Sequence, residues 1–597
     1  MSVINKTKLL FEKRYVAFLW GALIGIIIFL LQYGVDVLCF TNVTWLTHSN
    51  DLEGLWDLTQ HYYGWVVYRN SPWTFPIGLL EGIAVNPISV AYTDSIPLFA
   101  IIFKVLSPIL PANFQYFGLF EIMCYALMGG FGSLITHKFT KSIINNSVSA
   151  VLFVISPVLL KRTFYHSALS AHFLILIAIC LWIYRDEMAD ITHVILWSVL
   201  SMLCTLINPY YVPMVMGIMF CSLLQSLIVK KRWIYTLVCA LVPGVCALAI
   251  GWPLGLFYGE VSSGGEGLEM VSFNADQLFN PNNPLLRHSD YWFDYVSYSK
   301  FLPNLPLHTD WQMEGFSYLG LGMLILIVLV GILWIISLVK GRDKFKDKGY
   351  RKVYISYIIT IAICMVVFTL LAMGPDGSLG THVLYSIKWP KFIYNLFAIF
   401  RTCGRFIWPV YYMLMSLALI GTTVLIDKKR LVSIILIVIT IIQIVDLWPS
   451  FVYKRDVYKK ASADYDADYT NPLYQSDVWK DLAGQIDEII FVPPTDKSIC
   501  FRAEKSCLFE GYAIDNDIKM SASYCSRDVS AMADEYAKEN FAKRRNGETF
   551  PNAIYVMLYD NMFDAVREAG LPIYRYGDFY IASDRDLSKY SDLELVK

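Results

Sequence analysis

Four groups able to do chemistry fall within one short stretch. Residues 54–78, GLWDLTQHYYGWVVYRNSPWTFPIG, set Asp57, Gln60, His61 and Arg69 among Trp and Tyr rings. The stretch is too polar to cross a bilayer and reads as a loop at the membrane surface. A carboxylate held there can take a proton from a hydroxyl, a step that contributes roughly 10²–10⁴ in rate. Gln60, His61, Trp65 and Arg69 are then expected to position a substrate. The plain alternative makes Asp57 a cap for the helix of LTQHYYGWVVY, which stabilises by about 1 kcal/mol. Asp94, in YTDSIPL, is a second acid. It can share the acid–base work, ligate a divalent cation of the oxygen-seeking kind, or cap the apolar segment after it.

Two pairs of basic residues have helical spacing. Arg162 and His166 lie four apart in SPVLLKRTFYHSALSAHF, and Arg401 and Arg405 lie four apart in FAIFRTCGRFIWPVYYM. Each pair shares a face if its helix is continuous. Guanidinium groups at membrane depth are costly without an anion, and a lipid phosphate or pyrophosphate is an anion they grip bidentately. A buried acid such as Glu121 would serve as well. Lys161 reads as a side chain snorkelling to the interface. The segment 258–315 is long and rich in Asn, Asp, Pro and rings. That is a surface suited to a sugar, in which no single residue stands out.

The elements that must position these groups are mostly membrane spans. With 56% hydrophobic and 17% charged residues, the 597-residue chain is far from a soluble composition. Eleven spans are expected, at 15–38, 114–136, 147–160, 171–184, 191–207, 211–229, 234–257, 316–339, 353–373, 406–426 and 431–449. The first is expected to be retained, because no small-residue cleavage site follows it. The Lys- and Arg-rich segments place the N-terminus, 138–141, 230–232, 340–352 and 427–430 in the cytoplasm. The loops 39–113 and 258–315 and the chain after 450 then lie outside. This parity requires 94–110, broken by Pro97, Lys104 and Pro108, to be an interfacial or re-entrant helix. Residues 1–455 therefore form a helical membrane domain, and 456–597 a small α/β domain outside. In the latter, 488–494 and 553–559 read as strands, 562–571 as a helix, and 573–583 as a hairpin turning at Gly577-Asp578. The twelve Cys form no CxxC pair or Cys/His metal spacing. A net charge of −1 gives no electrostatic footprint for nucleic acid.

DLTQHYYGWVVYRNSPWTFPIG, YTDSIPLFAIIFKVLSPILPANFQYFG, EGFSYLGLG and FRTCGRFIWPVYY resemble a family of bacterial multi-pass membrane proteins. That family is similar to the GT-C glycosyltransferases, the class of oligosaccharyltransferase, the protein mannosyltransferases and the aminoarabinose transferase of lipid A. The class places an acid in the first outer loop, a position occupied by Asp57. Its second patch follows a Pro and an Arg at the outer end of a later span, matched by Pro157, Arg162 and His166. Oligosaccharyltransferases carry metal-binding acids there, whereas this patch has His166 and no acid, so a metal of that type is not implied. The resemblance implies a polyprenyl-phosphate sugar donor, transfer on the outer face of the plasma membrane, and inversion at the anomeric carbon. The acceptor would be a cell-surface glycan or glycopolymer, made in polysaccharide biosynthesis at the cell envelope. On this reading Asp57 and Asp94 are catalytic, Arg162, His166, Arg401 and Arg405 hold the phosphate, and a divalent cation stays open as cofactor. The rival function is a transporter or flippase of a lipid-linked sugar, which would bind the same groups without catalysis.

Overall fold

A computed structural model describes residues 12–47, 55–82, 85–259, 268, 270–286, 293–340, 347–400, 402–463, 471–492, 503–522, 525–526, 530–557 and 559–596. Helices dominate. In chain order they are α1 (Arg14–Tyr33), α2 (Leu55–Asn70), α3 (Pro97–Leu106), α4 (Phe117–His137), α5 (Ile143–Val154), α6 (Pro157–Arg162), α7 (Phe173–Ile183) and α8 (Asp190–Ile207). There follow α9 (Tyr211–Lys230), α10 (Trp233–Gly251), α11 (Leu321–Lys340), α12 (Lys348–Met373), α13 (Lys391–Ala398), α14 (Trp408–Leu425), α15 (Lys429–Asp446) and α16 (Trp448–Ala463).

Among the described residues, nine helices are long and apolar enough to cross a membrane, or ten if the α15–α16 pair, bent by 54°, is one span. This is the arrangement of a multi-pass membrane protein. The span expected at 171–184 falls on a shorter apolar helix, so the eleven-span count is not reproduced. The segment 94–110 forms α3 and a 3₁₀ turn, Ser107–Ile109. Ten α-helical residues rise about 15 Å, half the hydrocarbon thickness, so α3 cannot cross.

The first span packs by close backbone approach. Gly21 and Gly25 lie four apart on α1 and face Gly129 and Tyr125 on α4. A side-chain carbon at Gly25 would sit 2.0 Å from the Tyr125 carbonyl oxygen, and one at Gly129 2.1 Å from that of Gly21. Lipid gives two apolar helices no hydrophobic reason to associate, so small residues that let backbones touch take over that role.

The basic segments meet at one end of the bundle. Arg14 and Lys138 both pair with Glu187, Arg232 pairs with Asp190, and Lys230 with Asp186. Lys352 donates to the Val229 carbonyl, and Ser433 on α15 to Asn145 on α5. Helix α2, the α3 turn and the segment after α6 gather at the other end.

The stretch read as a loop, 54–78, is largely helix α2, with sixteen residues. Its reason is periodic: Leu58, His61, Tyr62, Trp65 and Tyr68 recur at helical spacing and are all buried. Polar ends and aromatic bulk disguise that face in a hydropathy reading.

Beyond α16, which runs across residue 455, the chain builds α17 (Asp477–Leu482), α18 (Ala503–Asp515), α19 (Ser530–Arg545) and α20 (Phe563–Glu568) around a sheet. Its strands are β1 (Glu488–Phe491), β2 (Lys519–Met520), β3 (Ala553–Met557), β4 (Ile573–Tyr576), β5 (Phe579–Ala582) and β6 (Glu594–Leu595), in the order β6-β4-β5-β3-β1-β2. β1 pairs parallel with β2 and β3, and the other pairs are antiparallel. Gly577, at φ 54°, turns the β4–β5 hairpin at the expected place. This domain rests on the membrane domain. The Met520 amide donates to the Gly82 carbonyl at 2.9 Å, and the Ser526 amide to that of Tyr92 at 2.7 Å. Helix α18 packs on α2, with Gly511 against Tyr63.

Candidate functional site

Three buried groups converge from distant parts of the chain. His61 on α2, Asp94 in the turn before α3, and His166 after α6 each present a ligand atom within 4.8 Å of the others. His166 Nε2 lies 3.2 Å from Asp94 Oδ2, and the His61 and His166 rings meet edge to face with centroids 4.7 Å apart. Asp57 comes from one helical turn before His61. Its Oδ2 is 4.0 Å from the other His166 nitrogen, Nδ1, and its side chain is 34% exposed, so it is the solvent-reachable member of the group.

Local structure explains each placement. A 3₁₀ turn, Val90–Thr93, ends with Asp94 in the left-handed region at φ 53°, and Ile96 follows at φ 53°. Asp tolerates that region, but a β-branched Ile does so only under compulsion, and such strain concentrates at functional sites. The turn is tied down from two sides. Ser95 Oγ donates to the His61 carbonyl at 2.7 Å, and Tyr116 Oη donates to the Ser95 carbonyl. Gly64 permits this approach, since a side-chain carbon there would lie 2.4 Å from Thr93 Cβ. Asp94 does not cap α3, whose cap residue is Ile96 with no side-chain bond. Its carboxylate instead accepts from Asn208 Nδ2 at 3.1 Å.

Burial pushes the His61 imidazole down to about 4, assisted by the neighbouring His166. For His166, burial opposes protonation, but the Asp94 and Asp57 carboxylates outweigh it and raise its affinity for a proton. Burial alone would raise the Asp94 carboxyl, and His166 beside it leaves it below the ordinary range.

A second cluster adjoins the first. Arg162 is one turn before His166, whose amide donates to the Arg162 carbonyl at 3.0 Å. The α6 helix stops at Arg162 and the chain turns through Phe164, at φ 59°, so the pair does not share a continuous helix. Arg405 sits in the 3₁₀ turn Gly404–Ile407 ahead of α14. Arg401 lies outside the described residues. Arg162 Nη2 and Arg405 Nε both donate to Glu314 Oε2, each at 2.8 Å. The guanidiniums also lie over rings, Arg162 5.3 Å from the Trp408 centroid and Arg405 4.8 Å from that of Tyr210. The acid beside these arginines is therefore Glu314. Glu121 accepts from the Phe164 amide and the Ser170 hydroxyl instead. Lys161 does not snorkel: it is buried and donates to Asn283 and the Met313 carbonyl. Arg405 is near enough for its charge to act on both Asp94 and His166.

Of the remaining expected site residues, Trp65 and Arg69 are engaged away from the cluster. Gln60 is buried beside His61, and neither of its amide atoms has a hydrogen-bond partner. Trp65 donates to the Phe114 carbonyl and is fully buried. Arg69 donates to the carbonyls of Ser107, Leu110, Pro111 and Ala112, closing the C-terminal end of the α3 segment.

Two residues were not singled out from the sequence. Asn208 ends α8 in INPYY, where an Asn before Pro reads only as a helix stop. Glu314 opens EGFSYLGLG within a loop holding several other acids. Its neighbours explain its position: Asn274, Gln277 and Gln312 bond one another and Ser272 and Ser378, fixing the turn that presents it.

No curated protein and no solved structure matches the chain. Residues 478–584 match the DUF6311 C-terminal domain. With residues 22–448, and so the whole of both clusters, matching the domain of unknown function DUF6311, the chain belongs to the DUF6311 family.

Proposed function

We propose that this protein is a GT-C-like glycosyltransferase that moves a sugar from a polyprenyl-phosphate donor to a cell-surface glycan. One observation carries the reading. A solvent-reachable carboxylate, Asp57, stands next to a buried His/Asp cluster, with Arg162 one backbone turn before His166 and Arg405 joined to it through Glu314. That combination suits a hydroxyl acceptor on one side and a phosphate leaving group on the other. Asp57 takes the proton of the acceptor hydroxyl. The acceptor oxygen attacks the anomeric carbon from the face opposite the phosphate. The carbon–oxygen bond to phosphate breaks, and its electron pair leaves with the polyprenyl phosphate. Arg162 and Arg405 stabilise the charge that develops there, the kind of preorganised term that dominates many enzymes. His61, Gln60 and Asp94 line the reacting region.

The positive-inside tendency would put the end carrying Arg14, Lys138 and Arg232 in the cytoplasm and the candidate site, with the C-terminal domain, on the outer face. The docking of α18 on α2, the helix that carries Asp57 and His61, supports a part for that domain in holding a polymer acceptor.

The test uses purified full-length protein in detergent and a panel of polyprenyl-phosphate sugars, reading release of free polyprenyl phosphate. Release that falls by roughly 10²–10⁴ in Asp57→Asn supports the base assignment. Tight binding of one donor by wild type and Asp57→Asn alike, without release, points instead to transport of a lipid-linked sugar.

A further inference from the structure

We infer that His61, Asp94 and His166 form a binding site for one divalent transition-metal ion of the zinc, manganese or cobalt type. Its role, though not its binding, rests on the transfer reading above.

The spacing of the three donors suits a metal. A metal held at about 2.0–2.1 Å by an imidazole nitrogen and a carboxylate oxygen, at near-tetrahedral angle, sets those atoms a little over 3 Å apart. His166 Nε2 and Asp94 Oδ2 are 3.2 Å apart, and His61, Asp94 and His166 each offer a ligand atom within 4.8 Å of the others. Three protein ligands leave a further position for a substrate or water oxygen, as catalytic rather than closed structural sites do.

The groups around the three donors also suit a metal. A ligating His usually offers its other nitrogen to a carboxylate, and ligating carboxylates are themselves hydrogen-bonded. Here His166 turns Nε2 to Asp94 and Nδ1 toward Asp57 Oδ2, 4.0 Å away. Asp94 keeps Oδ2 for the cluster while Oδ1 accepts from Asn208. The left-handed Asp94 and Ile96 residues hold this orientation at a cost in backbone strain.

The donor set names the class of metal. Two imidazoles and one carboxylate suit zinc, manganese, cobalt or ferrous iron, whereas magnesium and calcium seek oxygen ligands. This differs from the oxygen-ligated cation left open by the sequence, because two of the three donors are histidines that come together only in the fold.

The experiment reads metal, not activity. Full-length protein carrying no polyhistidine tag is stripped with chelator, incubated with Zn²⁺, Mn²⁺ or Co²⁺, desalted and analysed by elemental mass spectrometry. About one ion per chain is expected in wild type, with loss in His61→Ala and His166→Ala and affinity weakened roughly 10- to 100-fold in Asn208→Ala. Should a histidine variant fail to fold, the spectrum of Co²⁺ bound to wild type decides. Visible bands shifted and intensified relative to hexaaqua Co²⁺ support the site, and a spectrum identical to hexaaqua Co²⁺ overturns it. Substoichiometric metal in wild type, or metal content unchanged in folded variants, also overturns it. Stoichiometric metal without donor turnover would uphold the site while removing the transfer reading.

Discussion

Replacing Glu314 by Gln is the perturbation with the clearest arithmetic. Its carboxylate is shared by Arg162 and Arg405 at 2.8 Å each. At an effective dielectric constant near 20, two charges 4 Å apart attract by about 4 kcal/mol before desolvation is counted. Desolvation offsets much of that, so the intact cluster adds little net stability. Removing one member is different, because it leaves buried charge uncompensated, and costs about 3–5 kcal/mol. Glu314→Gln is therefore expected to unfold at markedly lower temperature. Burial alone would raise the Glu314 carboxyl, but Arg162 and Arg405 hold it well below its ordinary 4.5. A depressed carboxyl contributes stability that is present above the unfolded value and lost as pH falls through the folded one. The gap between wild type and variant should thus stay constant from about pH 5 to 8 and close only in stronger acid.

The same variant separates a structural ion cluster from a phosphate site. If the arginines receive a phosphate, Glu314 competes with it, and the variant should gain more from an anion. A ligand at 100 times its Kd stabilises by about 2.7 kcal/mol. Polyprenyl phosphate is expected to raise the unfolding temperature of Glu314→Gln more than that of wild type. Equal unfolding temperatures without ligand, together with equal shifts when it is added, would refute the reasoning.

Burial pushes the Asp276 carboxyl up to about 6 against an ordinary 3.8. Below 3.8 both states are protonated, and above about 6 the folded state must carry a buried charge. Wild-type stability should fall across that window, and Asp276→Asn should be more stable by roughly 2–3 kcal/mol at neutral pH but not at pH 4, as thermal unfolding at the two pH values would reveal. Gly25→Val forces α1 from the Tyr125 carbonyl it now nearly touches and should cost about 1–3 kcal/mol or more, read as a lowered unfolding temperature in detergent. A side-chain carbon at Gly511 would lie 2.6 Å from Tyr63 Oη, so Gly511→Val should loosen α18 from α2. Faster tryptic release of the C-terminal domain is the expected outcome, and unchanged cleavage would remove that contact as the one holding the domains together.

Much of the architecture was legible because it is encoded locally. A run of about twenty apolar residues must either cross lipid or be buried, so nine of the expected spans appear as long apolar helices. The β4–β5 hairpin follows from a Gly-Asp turn between alternating residues, since Gly577 can take the φ of 54° that the turn requires. The short α3 was legible because Pro97 and Pro108 bound it. Asp57, Asp94, Arg162, His166 and Arg405 stood out because charged groups in apolar surroundings need a reason.

What the sequence could not specify is which of these groups meet. Asp94 and His166 are separated by 72 residues, and Glu314 lies more than 150 from Arg162, so their partnership is set by helix packing and not by spacing. Local pattern misjudged α2, whose buried face is aromatic and polar, and it favoured Glu121 over Glu314 because only one of them lies inside an apolar run. Trp65 and Arg69 follow His61 on the same face of α2, yet they meet the Phe114 carbonyl and the α3 end, because each four-residue step carries that face about 6 Å further along the helix axis, past the cluster. Sequence alone determined a multi-pass chain with reactive groups near its first loop and a small α/β domain after it. Only the tertiary structure decided that two histidines and an aspartate share one buried point beside a Glu-bridged pair of arginines, because long-range contacts between helices have no period to read.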